Sequence, residues 1–126
     1  MISEQNTQFQ IHEVRCKGLL DCDEIRFAGI INEDGRLVSG GFKQGLTPLE
    51  SDEEKLESFM KFVSKISLRK EYDDSLGPIN YLAARRDKVV LISFPFPLSR
   101  ILLLISADPS VNIENLANKV IKIFGG

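Results

Sequence analysis

Cysteine is scarce in this chain: the 126 residues hold two, Cys16 and Cys22, too far apart for a Cys-x-x-Cys pair. A disulfide scaffold and a cysteine-rich zinc module are thereby excluded, and both thiols are expected to be reduced. Histidine is scarcer still, with His12 alone, so no second imidazole is at hand to complete a zinc site. An excess of basic residues is also missing. Sixteen Lys and Arg against 18 Asp and Glu give a formal net charge of −2, and phosphate binding needs concentrated positive charge, so nucleic acid is not the expected partner. No apolar run approaches the roughly 20 residues of a membrane span. The opening Met-Ile-Ser-Glu-Gln-Asn-Thr-Gln has neither the basic start nor the apolar stretch of a signal peptide. The expectation is a cytoplasmic protein with no membrane partner.

What is present is ordinary globular composition, 43% apolar and 27% charged, with no segment polar enough to resist burial. A chain of this length buries about two thirds of its unfolded surface, enough for one core and not two. A single domain over 1–126 is therefore expected, with 1–22 as an N-terminal helical segment. No internal repeat, linker or low-complexity stretch interrupts it.

The chain reads as an α/β (α+β) fold in the order helix, two strands, long helix, three strands, helix. Phe9, Val14, Cys16, Leu19 and Leu20 form a loose apolar pattern for the first helix, weakened by Gly18. The β-rich runs 25–31 and 36–42 flank Asp34-Gly35, a strong hairpin signal because Gly accepts positive φ. Gly40, Gly41, Gly45 and Pro48 then mark the chain leaving the sheet. Ser51-Asp-Glu-Glu54 fits a capping box whose acids face the positive end of the helix dipole. Leu56, Phe59, Met60, Val63 and Ile66 follow at helical spacing, and Gly77-Pro78 supplies a stop. Unbroken, that helix would run roughly 35 Å. Phe62 and Leu68 widen its apolar face beyond one stripe, so it is expected to pack against its own sheet and against a second subunit, through Phe59, Phe62 and Ile66.

Strands are expected over 79–85, 88–94 and 100–106, with Arg86-Asp87 in the first turn and Pro95-Phe96-Pro97 in the second connection. Ile101 to Ile105 is continuously apolar, which suits a strand covered on both faces, so the fifth strand is expected at the centre of the sheet. The last helix is the clearest element. Ile113, Leu116, Ala117, Val120, Ile121 and Phe124 keep helical spacing, with Asn112 as cap and Gly125 as stop.

Against this frame the candidate chemistry is thin, and no catalytic, cofactor-binding or metal residue is assigned. His12 reads as a surface histidine. Asp21-Cys22-Asp23-Glu24 gathers three carboxylates but lacks the Asp-x-Asp-x-Asp-Gly spacing of a calcium loop, so it reads as a solvated turn. A hydrolase or transferase built on those carboxylates would need a metal and a cleft. Neither cysteine has a neighbouring base that would activate it. The glycines at 40, 41 and 45 match no phosphate loop, and neither a Gly-x-Ser-x-Gly elbow nor a His-Glu-x-x-His pair occurs. The remaining candidate is a charged patch for a protein partner. It would combine Arg69, Lys70 and Tyr72 with Arg85 and Arg86, the arginines offering bidentate bonds to a carboxylate or phosphate. Its plain alternative is a solvated helix end with ion pairs worth at most about 1 kcal/mol each.

The element order resembles the roadblock-type fold of dynein light chains and of bacterial and archaeal regulators of small GTPases. The segments Glu24-Ile-Arg-Phe-Ala-Gly29, Leu37-Val-Ser-Gly-Gly-Phe-Lys43, Arg69-Lys-Glu-Tyr-Asp-Asp-Ser-Leu-Gly-Pro78 and Ala84-Arg-Arg-Asp-Lys-Val-Val90 are similar to those of an uncharacterised family of single-domain proteins of ammonia-oxidising archaea. The first resemblance implies a three-layer, profilin-like fold with a five-stranded, mostly antiparallel sheet. It also implies dimers that continue the sheet across two subunits with the long helices side by side. The function it implies is a non-catalytic scaffold or regulator whose partners are a second copy, a small GTPase or another roadblock-like protein. A small-ligand sensor is the alternative, because related folds hold metabolites between sheet and helix.

Overall fold

A computed structural model describes residues 4–125. Strands β1 (Ile25–Asn32) and β2 (Leu37–Phe42) form the expected hairpin. Its turn is closed locally: the Asn32 side-chain oxygen accepts from the backbone N–H groups of Asp34 and Arg36, each at 3.0 Å, and Gly35 sits at φ 79°. Only glycine suits that turn, because a Cβ at position 35 would also fall 2.6 Å from the Lys61 backbone.

With β3 (Leu82–Arg85), β4 (Val90–Pro95) and β5 (Ile101–Ala107), the sheet has the order β2-β1-β5-β4-β3, and every pairing is antiparallel. β5 is the middle strand, as its unbroken apolar run requires. Its side chains alternate between two cores. Leu103, Ile105 and Ala107 join α1 (Glu4–Leu20) and α4 (Ile113–Phe124) on one face; Leu102 and Leu104 join α2 (Glu53–Ser67) on the other. The result is three layers, two helices over the sheet and one beneath it.

α4 follows its sequence pattern, with the Asn112 side chain accepting from the Asn115 N–H at 2.9 Å and Leu116, Ala117 and Val120 buried. The first helix differs from expectation in its face. Cys16 and Leu19 are fully buried, but Val14 is 69% exposed and Phe9 also faces outward. Residues two positions apart on an α-helix point about 200° away from each other, so Val14 and Cys16 cannot both face the sheet. The helical segment expected over 1–22 begins, among the described residues, at Glu4.

Two expectations for the long helix are corrected. Its cap is Asp52 rather than Ser51: the Asp52 carboxylate accepts from Glu54 and Lys55 N–H groups at 3.0 and 3.2 Å. It also ends at Ser67 instead of running to Gly77, and a separate short helix, α3 (Asp73–Leu76), follows. The Ser67 and Ser93 hydroxyls share a 2.7 Å hydrogen bond between α2 and β4, and Leu68 folds onto the α2-side core. Beyond that point apolar spacing stops. Arg69, Lys70 and Glu71 are exposed, as are Tyr72 at 64% and Leu76 at 81%, so a continued helix would have no face to bury. The Gly77-Pro78 stop belongs to α3.

β3 begins at Leu82 rather than 79, and the turn to β4 is closed by the Arg86 N–H donating to the Val89 carbonyl at 2.9 Å. All four β3 residues are exposed, and the strand is one edge of the sheet.

Candidate functional site

Three surfaces compete for a functional role, and the first is the flank of α2 beside β3. The Ser64 hydroxyl donates to the Asn32 carbonyl at 2.7 Å, and the Lys61 backbone lies against Gly35. That flank of the helix therefore faces the β1–β2 hairpin. At about 100° per residue, Phe62 and Ile66 lie on the other flank, toward β4 and β3. Phe62 is 58% exposed, Ile66 is half-buried, and Phe59 tucks inward against the α2-side core. Beneath them β3 offers Leu82, which pairs with Ser93 and so shares the α2 face. An apolar step thus runs from the helix flank to an uncovered sheet edge.

The basic residues singled out in the sequence are not brought together. Arg69 forms a 3.0 Å ion pair with Glu71, both exposed, and Lys70 Nζ reaches the Pro97 carbonyl at 3.4 Å. Tyr72 is exposed beside them. These residues lie near the Ser93 end of β4, whereas Arg85 pairs with Val90 at its start. Arg85 donates to the Pro109 carbonyl and, at 2.9 Å, to the Val111 carbonyl, tying β3 to the approach to α4. Arg86 belongs to a third place, described below. A single patch of five residues does not form.

Arg69 and Lys70 instead border a cavity of about 440 Å³ between the 69–81 connection, the end of β4 and α4. Its walls include Pro78, Pro95, Pro97, Phe94 and Phe96. Tyr81 donates to the Glu114 carboxylate at its rim, and that bond holds the phenol above its usual pKa. A second cavity, of about 700 Å³, opens between the N-terminal half of α2 and the sheet, near the β3–β4 turn, and Arg86 lines it. No motif signals it, because its residues come from six separate segments.

The other candidates are quiet. His12 is packed between Phe96 and Phe124, with ring centroids 5.7 and 6.4 Å away, so it is less exposed than the sequence suggested. Burial, with help from Arg15, lowers its pKa. Burial pushes the Cys16 thiol up to about 12, with the Glu13 carboxylate adding to the rise, which suits packing rather than nucleophilic attack. Glu24 is drawn into a 3.0 Å pair with Lys119. Among the described residues, no three His, Cys, Asp or Glu side chains converge as metal ligands, and no helix is long and apolar enough to cross a membrane.

Solved structures share this architecture. The roadblock/LC7 domain of Streptomyces avermitilis aligns with a TM-score of 0.63 at 16% identity, over 88% of this chain and 89% of that one. MglB of Myxococcus xanthus aligns at 0.62 and 16% identity, over 99% and 93%. The gliding protein MglB of Thermus thermophilus gives 0.65 at 10% identity, over 98% and 93%. The fold is thus of the roadblock/LC7 class. No curated protein matches the sequence. The chain belongs to the Family of unknown function (DUF6659), whose model matches residues 4–126.

Proposed function

We propose that the protein is a non-catalytic regulatory or scaffolding module that works by homodimerisation and protein binding, with a Ras-like small GTPase or another roadblock-like protein as partner. The observation that carries the reading is the apolar step of Phe62, Ile66 and Leu82 beside the uncovered edge of β3. An edge strand with unpaired backbone groups next to an apolar helix flank suits pairing with a second copy. Two-fold symmetry would set β3 against its copy and α2 alongside its copy. Arg69, Lys70 and Tyr72, exposed on the connection between α2 and β3, would flank the joined surface and meet a partner there. Arg86 would reach it from the turn after β3, and Arg85 would act by holding that strand's end. One domain over 1–126, and an archaeal, cytoplasmic setting, belong to the same reading, on the resemblance of its segments to proteins of ammonia-oxidising archaea.

Sedimentation equilibrium tests it. Wild-type protein is expected to be a dimer at micromolar concentration. Phe62→Glu, which would bury an unpaired charge at the interface, is expected to raise the dimer dissociation constant by about a hundredfold, or about 2.7 kcal/mol. A folded Phe62→Glu protein that remains as dimeric as wild type would place the interface elsewhere, and a monomeric wild type would overturn the reading.

A further inference from the structure

The 700 Å³ cavity between α2 and the sheet has a composition that neither the core nor the dimer surface calls for. Its volume falls within the range usual for small-molecule sites. The apolar part of the lining includes Phe42, Leu56, Phe59 and Leu91. Four cations, Arg26, Lys55, Arg86 and Lys88, line it as well, against two acids, Glu50 and Asp87. Glu50 is already engaged, its carboxylate accepting from the Asp52 N–H at 3.3 Å. None of the four cationic side chains has a hydrogen bond or ion pair with another described residue. Lys55, Arg86 and Lys88 are exposed and Arg26 is half-buried, so the cavity carries an excess of positive charge that favours an anion.

A second, independent observation points into the same space. Ser106, on the central strand, is only 8% exposed and lines the cavity, yet its hydroxyl bonds to no other described residue. The hydroxyl oxygen keeps an opening to the cavity and can bond to a ligand there.

We infer that this cavity is a binding site for a small amphipathic organic anion, an acyl or aryl carboxylate, sulfonate or phosphate ester. The anionic head lies among Arg86, Lys88, Arg26 and Lys55, the apolar body rests on Leu56, Phe59 and Leu91, and Ser106 supplies one hydrogen bond at the floor. Guanidinium and ammonium groups beside an apolar bed favour a head with a hydrocarbon attached over a simple inorganic anion or a neutral hydrocarbon.

The test uses a fluorescent probe of that chemistry, 8-anilinonaphthalene-1-sulfonate, with the neutral N-phenyl-1-naphthylamine as its uncharged counterpart. The folded wild-type chain should bind the sulfonate saturably with one site per subunit, the neutral probe at least about tenfold more weakly, and decanoate should displace the sulfonate. The double variant Arg86→Glu/Lys88→Glu should weaken sulfonate binding about tenfold or more. Lys17→Glu/Lys122→Glu changes net charge by the same amount on the opposite helical layer, and should leave it within about twofold. Circular dichroism of each variant establishes that it is folded. Equal binding of the charged and neutral probes would overturn the inference, as would equal losses in the two double variants. Absence of saturable binding to wild type would also overturn it and leave the groove to a macromolecular partner.

Discussion

Burial between Phe96 and Phe124, with the Arg15 guanidinium nearby, makes the His12 imidazole harder to protonate in the folded protein than in the unfolded chain. The unfolded state therefore binds the extra proton first as pH falls. Stability is complete above the ordinary histidine range of about 6.5 and is lost as pH drops from there toward the lower folded value. Urea unfolding should accordingly show a loss of stability between about pH 7.5 and about pH 5.5, and His12→Phe should flatten that part of the curve. Coincident pH profiles for the variant and wild type would contradict this account. Glu24 acts in a separate window. Its carboxylate is held down by Lys119, so its contribution persists until the pH falls through the depressed carboxylate value, well into acid. Neither residue announced its environment in the sequence, where His12 read as a surface histidine and Glu24 as part of a solvated turn.

At the scale of elements, the joint between α2 and β4 determines where the helix stops. The Ser67 and Ser93 hydroxyls are both nearly inaccessible, at 2% and 4% exposure, and bond to each other at 2.7 Å. Removing one leaves the other buried without a partner, which costs about 1–3 kcal/mol, whereas removing both leaves no orphan. Ser67→Ala and Ser93→Ala should each destabilise the protein, and the double variant should lose less than the sum, read as urea midpoints in a double-mutant cycle. Additive losses would mean that the bond contributes nothing of its own. Serines carry no pattern by which such a pairing could be read in advance. The apolar spacing of α2, by contrast, was legible up to Leu68, and the error lay in giving Gly77-Pro78 to the wrong helix.

For the whole molecule, the two edges of the sheet are unequal. β2 is braced by α1, where the Glu13 carboxylate accepts from the Gly40 N–H at 2.6 Å. β3 is exposed at every residue, and α2 leaves its β3-side flank uncovered. If a second copy covers that side, folding and association are linked. The melting temperature should then rise with protein concentration for wild type and become independent of it in Phe62→Glu. A wild-type melting temperature that does not change over a hundredfold range of concentration would argue against dimerisation. The cavity beside Arg86 lies near the N-terminal half of α2, while Phe62 and Ile66 lie in its C-terminal half, so the two proposals fail separately.

Local chemistry and unbroken apolar patterns were enough for the sequence to determine the Asp34-Gly35 hairpin, the Asn112-capped last helix, and a central fifth strand. Each depends on neighbours in the chain or on burial of a single run. Folding alone decided the rest. The separation of Arg69 and Lys70 from Arg85 and Arg86 follows from β3 and β4 holding them at opposite ends. The second cavity exists only because β1, β4 and β5 bring Arg26, Leu91 and Ser106 beneath Lys55 and Phe59 of α2. Contacts between residues distant in the chain leave no local periodicity, so only the packed layers reveal them.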